Sequence, residues 1–393
     1  MVIINAKIYP MDAPTIESGW LRFEGGKITG LGAMAGYAPA DGEEVLDAAG
    51  KSLFPGFIDA HCHLGMWEDA IGFEGSDGNE MTSPCTPYLR AIDAINPMDR
   101  CFREAAAAGV TTVLTGPGSA NPIGGWWTAM KTLGVRVDDM VMVPEIGMKF
   151  ALGENPKRVY NGKGVTPMTR MATASVIREA LLAAQRYMEA QEKAKADPKE
   201  KPKYDKTSEA LVPLLRREKK AFIHCHRADD IFTAIRIGKE FNLDFVIVHC
   251  TEGHLIADFL KKEGIKAICG PFLTDRSKVE LKNLTPAAIG VLVRAGVPCA
   301  ICTDHNVIPE QFLPLCAGVA VGYGLPWEEA VKSITIRAAE IAGIEDRVGS
   351  LTPGKDADLV LVDGDPLSPY VHPEKVFVAG VEAPQRPLPG ITE

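Results

Sequence analysis

The strongest constraint on this chain's fold is where its histidines fall. Five of the eight, His61, His63, His224, His226 and His249, sit at or just past the ends of short apolar segments. FIDA precedes His61, AFI precedes His224 and FVIV precedes His249, while PCAIC at 298–302 leads to Asp304. Between these segments lie helical stretches of about ten residues, such as 230–241 and 253–263. Short buried strands alternating with helices predict βαβ units and a parallel sheet. Residues 55–349 are enough to close that sheet into a (β/α)8 barrel, and a barrel gathers its chemistry at the C-terminal ends of its strands. An open doubly wound sheet is the alternative.

The two ends of the chain read differently. LRF, the turn EGG and KIT (21–29) carry hairpin punctuation. DLVLV at 358–362, ended by DGDP, and KVFVAG at 375–380 repeat that style. The expected organisation is therefore a small β-sandwich from residues 1–54 and 350–393 around a barrel from 55–349. A charged, proline-bearing stretch at 191–208 (KADPKEKPKYDK at its centre) reads as a solvated linker between two helices or a mobile insertion.

Charge and composition exclude some partners. Asp and Glu number 51 against 42 Lys and Arg, a formal net charge of −9, which gives no basic face for nucleic acid. No apolar run approaches the ~18–20 residues of a membrane span. Residues 1–10 lack a basic region followed by a long apolar stretch, so a secretory signal is not expected. The nine cysteines are scattered, several inside apolar runs, and read as free thiols in a reducing cytoplasm.

The segment FIDAHCH (57–63) carries the clearest chemistry. Side chains alternate along a strand, so His61 and His63 should share a face while Cys62 points under the helices. Two imidazoles on one face suit a divalent cation such as zinc. His224 and His226 repeat the spacing, and His249 and Asp304 end further strands. A histidine or two standing alone would read as structural; this many ligand types converging at strand ends would not.

PGFIDAHCHLG (55–65), FIHCH (222–226), VIVHC (246–250), CTDH (302–305) and GSLTPGKDADLVLVDGDP (349–366) together resemble the amidohydrolase superfamily over nearly the whole chain. INAKIYPMD and GGKITGLG near the start resemble the opening of that superfamily's β-sandwich. The resemblance implies a hydrolase on a distorted (β/α)8 barrel with one or two divalent metals, zinc foremost. Within it, His61 and His63 match the first-strand ligands, His224 the fifth-strand ligand with His226 as the alternative, His249 the sixth-strand ligand, and Asp304 the eighth-strand aspartate. Binuclear members carry a carboxylated lysine on the fourth strand, and Lys149 in EIGMKF is the match; a surface lysine at a strand end is the other reading. The implied mechanism has the metal lower the pKa of water from 15.7 to about 7. Asp304 then shuttles the proton to the leaving nitrogen, and His249 or His226 helps polarise the carbonyl.

Small-molecule substrate contacts are expected from loops after the strands. The candidates are loops 65–99, 115–122 with Asn121, and 270–276. Arg227 and Arg276 could each clamp a substrate carboxylate, or else pair with nearby acids such as Asp229 or Asp275. His305, beside Asp304, reads as a supporting residue, and His254 as a cap or surface residue. Deaminases and imidazolonepropionase carry H-x-x-E at the fifth strand, whereas Arg227 holds the last of those positions here. The H-x-H pattern with a candidate lysine resembles prolidase-like members. Hydrolysis of a linear amide or dipeptide-type bond is therefore the first expectation, cyclic amide hydrolysis the second and deamination the third. A non-catalytic metal-binding scaffold is the reading from a different class, and the presence of Asp304 counts against it. Relatives of this kind are often homo-oligomers.

Overall fold

The computed structural model describes residues 1–69 and 71–384. The C-terminal part of the expected sandwich, residues 385–393, lies outside the described residues.

Eight strands form the barrel sheet in sequence order. They are Phe57–Cys62, Val110–Thr115, Ile123–Lys131, Val141–Ala151, Lys220–Cys225, Phe245–His249, Ala267–Cys269 and Cys299–Ile301, here called the first to eighth barrel strands. The expectation of an all-parallel sheet needs one correction. The third strand runs antiparallel to both its neighbours, and the other adjacent pairs are parallel. The physical reason is the length of the connections. Residues 116–122 separate the second and third strands, too few for the helical crossover that a parallel pair requires, so the chain turns back as a hairpin. Residues 132–140, with only the short helix Val137–Met140, return it the same way.

Elsewhere helices cover the outside as anticipated. Arg100–Ala107 follows the first strand, Ala228–Glu240 the fifth, Ala257–Lys262 the sixth and Ala287–Ala295 the seventh. Apolar side chains pack on both faces of the sheet, as a barrel needs. Ile58, Leu114, Trp127, Phe222, Val246, Val248, Ile268 and Ala300 form the inner cluster, to which the helix Ile336–Ala342 adds Ala338 and Ile341.

The charged stretch at 191–208 does join two helices, with the solvated connection itself confined to residues 197–205. Its first residues complete the 27-residue helix Arg170–Ala196, and its last begin the helix Lys206–Leu215. The Asp205 side chain caps the second helix by accepting from Thr207 and Ser208 N–H groups. Gln191 bonds Glu209 at 2.8 Å across the pair. Two helices packed side by side give the charged residues a solvated face and a defined backbone.

The terminal segments build one eight-stranded sheet. Ser52–Pro55 and Leu359–Val362 pair antiparallel at its centre, joining the two ends of the chain. Ile3, Ile8, Leu21, Phe23, Leu53, Leu359 and Phe377 fill its core. The sheet curls, so that Gly26 packs directly against Ala379 and Gly380. All nine cysteines are free, and all but Cys85 are buried. No described helix is long and apolar enough to cross a membrane.

Candidate metal centre

Simple alternation along the strands accounts for only some of the candidate ligands. The register between the first and second strands slips between Asp59 and Cys62. That irregularity lets Ala60 join the inner cluster while His61 also faces the barrel centre and Cys62 goes beneath the helices. His224 lies one alternation beyond Phe222 and needs no such device. His249 does. Strict alternation would send it outward with Ile247, which packs under the helices. Its backbone is left-handed instead, with φ of +70°, and the ring turns inward to within 5.1 Å of His61, 4.5 Å of His224 and 4.6 Å of His226 between centroids. Asp304 is also left-handed, φ +55°, just beyond the eighth strand. Strained backbone of this sort concentrates at functional sites.

The result is two overlapping groups. The candidate ligand atoms of His224, His226 and His249 lie within 4.8 Å of one another, as do those of His61, His249 and Asp304. His63 joins the second group, because its Nε2 and that of His61 each lie 3.3 Å from Asp304 Oδ1. Lys149 on the fourth strand completes the set, its Nζ 3.3 Å from His61 Nε2 and 4.9 Å from the Trp127 ring. Trp127, on the reversed third strand, stacks on His61 at 4.2 Å.

The outer nitrogens fix how the imidazoles face. His63 Nδ1 donates to the Gly116 carbonyl at 2.6 Å and His249 Nδ1 to that of Gly270 at 2.9 Å. His226 Nδ1 bonds the Thr251 hydroxyl at 2.7 Å. Each leaves Nε2 with its lone pair toward the centre, the orientation that ligating histidines take from partners behind them. Burial pushes the proton affinity of His61, His224 and His226 well below the usual imidazole range, and of His249 down to about 4. Burial also takes the Lys149 amine down to about 7. For Asp304, burial favours the proton, yet His249, His61 and His63 together hold its carboxyl well below the ordinary carboxylate range.

Neutral imidazoles around an ionised carboxylate form the donor set that a divalent cation requires. Buried His226 Nε2 and His224 Nδ1 have no hydrogen-bond partner among the described residues. Unpartnered buried polar atoms are rare, and a bound cation is one explanation for them. The residues fit a divalent metal. His224 and His226 stand equally close to His249, so both readings of the fifth-strand ligand remain consistent with the geometry.

The sequence candidates for substrate contact are not brought together. Arg227 forms a double hydrogen bond with Asp229, at 2.9 Å for each contact. Arg276 donates to the Leu284 carbonyl. Asn121 is 3 % exposed, and its amide is held by the Glu80 carbonyl, the Thr86 hydroxyl and the Tyr160 hydroxyl. His305 is buried, and its Nδ1 accepts from the Glu310 N–H. His254 bonds the Thr251 carbonyl on a short turn.

Other residues stand nearer. Asn155, at the start of the helix Glu154–Gly162, reaches His224 Nε2 at 3.5 Å and Ser119 Oγ at 2.7 Å. Lys278 donates to Asn155 Oδ1 at 3.1 Å. Glu280 Oε1 lies 3.7 Å from His226 Nε2. None of them stands in a motif, so sequence reading had no signal to find them.

Known proteins share this chain's fold and sequence pattern. The profile of the Amidohydrolase family matches residues 52–383. Amidohydrolase tasK of Hapsidospora irregularis is 30% identical over 360 residues, which is 86% of this chain, and the chain spans 37% of that protein's length. An imidazolonepropionase of Porphyromonas gingivalis is 24% identical over 381 residues, covering 86% of this chain and 81% of that protein. The crystal structure of an amidohydrolase from Thermotoga maritima superposes with a TM-score of 0.94 at 42% identity, over 98% of this chain and 100% of that one.

Proposed function

The chain belongs to the amidohydrolase family, and from that premise we propose that it is a divalent-metal-dependent hydrolase of a linear amide or dipeptide-type C–N bond. The observation that carries this reading is the convergence of His61, His63, His224, His226, His249, Asp304 and Lys149 at one mouth of the barrel.

In this reading His61, His63, one or both of His224 and His226, His249 and Asp304 hold zinc, as one or two ions. A bound divalent cation supplies Lewis acidity and lowers the pKa of water toward about 7. Asp304 is the proton carrier. Its carboxylate is ionised and faces the centre, so it takes a proton from the attacking water and passes it to the leaving nitrogen. His249, fixed by Gly270, presents the Nε2 lone pair that would hold the cation, and polarisation of the substrate carbonyl would fall to the cation itself. Trp127 and Trp67, packed on His61 and His63, keep that side of the centre dry.

Lys149 acts as a carbamate. Its Nζ is fully buried and has no carboxylate within 4.0 Å among the described residues. An ammonium is costly there, whereas carboxylation turns it into an anion suited to bridging cations. The unpaired cysteines support a cytoplasmic setting.

A cyclic amide is the second reading, favoured by the similarity to imidazolonepropionase. A panel of dipeptides and N-acyl amino acids set against lactams, assayed with zinc-loaded protein, tests both. Turnover of the linear amides above the lactams supports the first reading, and the reverse order supports the second. Full zinc loading with no C–N bond cleaved in either set overturns both.

A further inference from the structure

The expected carboxylate clamps, Arg227 and Arg276, bond elsewhere, whereas Lys278 approaches the imidazole cluster through Asn155. Lys278 lies in the loop after the seventh strand with its side chain 23% exposed. Its ammonium meets Asn155 Oδ1 at 3.1 Å, and Asn155 Nδ2 lies 3.5 Å from His224 Nε2, so one side chain separates it from the cluster.

Lys278 also has hydrogen-bonding capacity to spare. An ammonium carries three donors. One goes to Asn155 Oδ1 at 3.1 Å, and Lys278 pairs with the buried Glu280 carboxylate only as a loose salt bridge at 3.9 Å, which uses none of its donors in a hydrogen bond. Ser119 accepts from Asn155 Nδ2 at 2.7 Å and donates its own hydroxyl proton to no described residue. Asn155, in the helix after the fourth strand, thus ties together Ser119 and Lys278 from the loops after the second and seventh strands, and touches His224 at 3.5 Å.

We propose that Lys278, with Ser119 and positioned by Asn155, is the subsite for a substrate carboxylate, so that the enzyme takes amides bearing a free carboxylate in preference to their neutral counterparts. This rests on the hydrolytic reading above and narrows its substrate class. An ammonium next to the cluster would hold the carboxylate end while the amide carbonyl lies against the imidazole face.

The test pairs N-acetyl-alanine, N-acetyl-leucine and N-acetyl-phenylalanine with their C-terminal primary amides. Zinc-loaded wild type, Lys278→Gln and Lys278→Arg are compared for kcat/KM at the acetyl bond and for binding by calorimetry. Wild type is expected to favour the acids. Lys278→Gln should remove about 10- to 100-fold of that preference, mostly through KM, the range for one hydrogen bond to a charged group. Lys278→Arg, which keeps the charge, should retain most of it. A Lys278→Gln variant that weakens acid and amide equally overturns the subsite while leaving the hydrolytic reading intact. Charge-dependent binding of the acids without turnover supports the subsite and counts against hydrolysis of these amides. Wild type with no preference for the acids in either assay overturns the subsite outright.

Discussion

Thr303 donates both its backbone N–H and its hydroxyl to one carboxylate oxygen of Asp59, at 2.8 and 2.7 Å. The other oxygen of Asp59 accepts from the His61 N–H at 2.8 Å. These bonds stand at the seam of the barrel. Among the described residues the ladder runs unbroken from the first strand to the eighth, and no ladder joins those two to each other. Beyond the strand ends, Asp304 N–H reaches the His61 carbonyl at 3.2 Å and His63 N–H the His305 carbonyl at 2.7 Å. A buried carboxylate therefore fixes the distance between the residues that carry His61, His63 and Asp304. Removing it by Asp59→Ala strands three donors in a dry site. Unfolding in urea should show a loss of about 3 kcal/mol or more, with weaker zinc binding. An unaltered urea midpoint would mean that the seam is held by something else.

Glu310 lies against the same hydroxyl, its Oε2 3.1 Å from Thr303 Oγ1. Thr303 has a single hydroxyl proton and the shorter contact goes to Asp59, so Glu310 must bring a proton of its own. Burial, reinforced by Asp59, pushes its proton affinity well above the usual carboxylate range. Glu310→Gln keeps a donor at that place and should stay within about 1 kcal/mol of wild type. Glu310→Ala leaves a cavity and should lose more. Equal losses from the two substitutions would show that the acid proton plays no part.

Asp304→Asn tests the proton carrier. Asparagine keeps the volume and one oxygen but cannot take the proton. The variant should fold with an unchanged circular dichroism spectrum and lose about 10²–10⁴-fold in kcat. Retaining more than a tenth of the wild-type rate contradicts the role given to Asp304.

Lys149 separates one metal from two. With zinc in excess and bicarbonate present, the wild type should bind close to two ions per chain, and ¹³C-bicarbonate should give a carbamate resonance. Lys149→Met should lose both the resonance and one equivalent of metal. One ion per chain in the wild type, with no resonance, supports a mononuclear centre instead.

The metal-free protein carries a pH signature of the same lysine. Burial lowers its folded pKa to about 7 from 10.5. The unfolded chain therefore binds the extra proton between those values, and stability rises with pH across that window, by at most about 1.4 kcal/mol per pH unit. The stability of metal-free wild type relative to Lys149→Met should climb from pH 7 toward pH 10. A flat difference would place the amine in contact with water.

The sequence by itself determined the class of the fold and the inventory of the centre. Apolar strands ending in histidine require only local alternation and composition, and these are legible along the chain. So are the terminal hairpins that build the second sheet. What tertiary structure decided is orientation. The third strand reversed because its connections are too short for a crossover, and the ends of 191–208 were drawn into two packed helices. His249 faces inward only through a left-handed backbone, which no residue pattern announces for a histidine. Arg227 was equally free in sequence to bind substrate or Asp229, and folding brought the aspartate first. Lys278, Asn155 and Ser119 come from two loops and a helix far apart in the chain, and only closure of the barrel makes them neighbours. Hydrophobic patterning is a property of adjacent residues, whereas a binding site depends on which distant side chains are left with unspent hydrogen bonds after packing is complete.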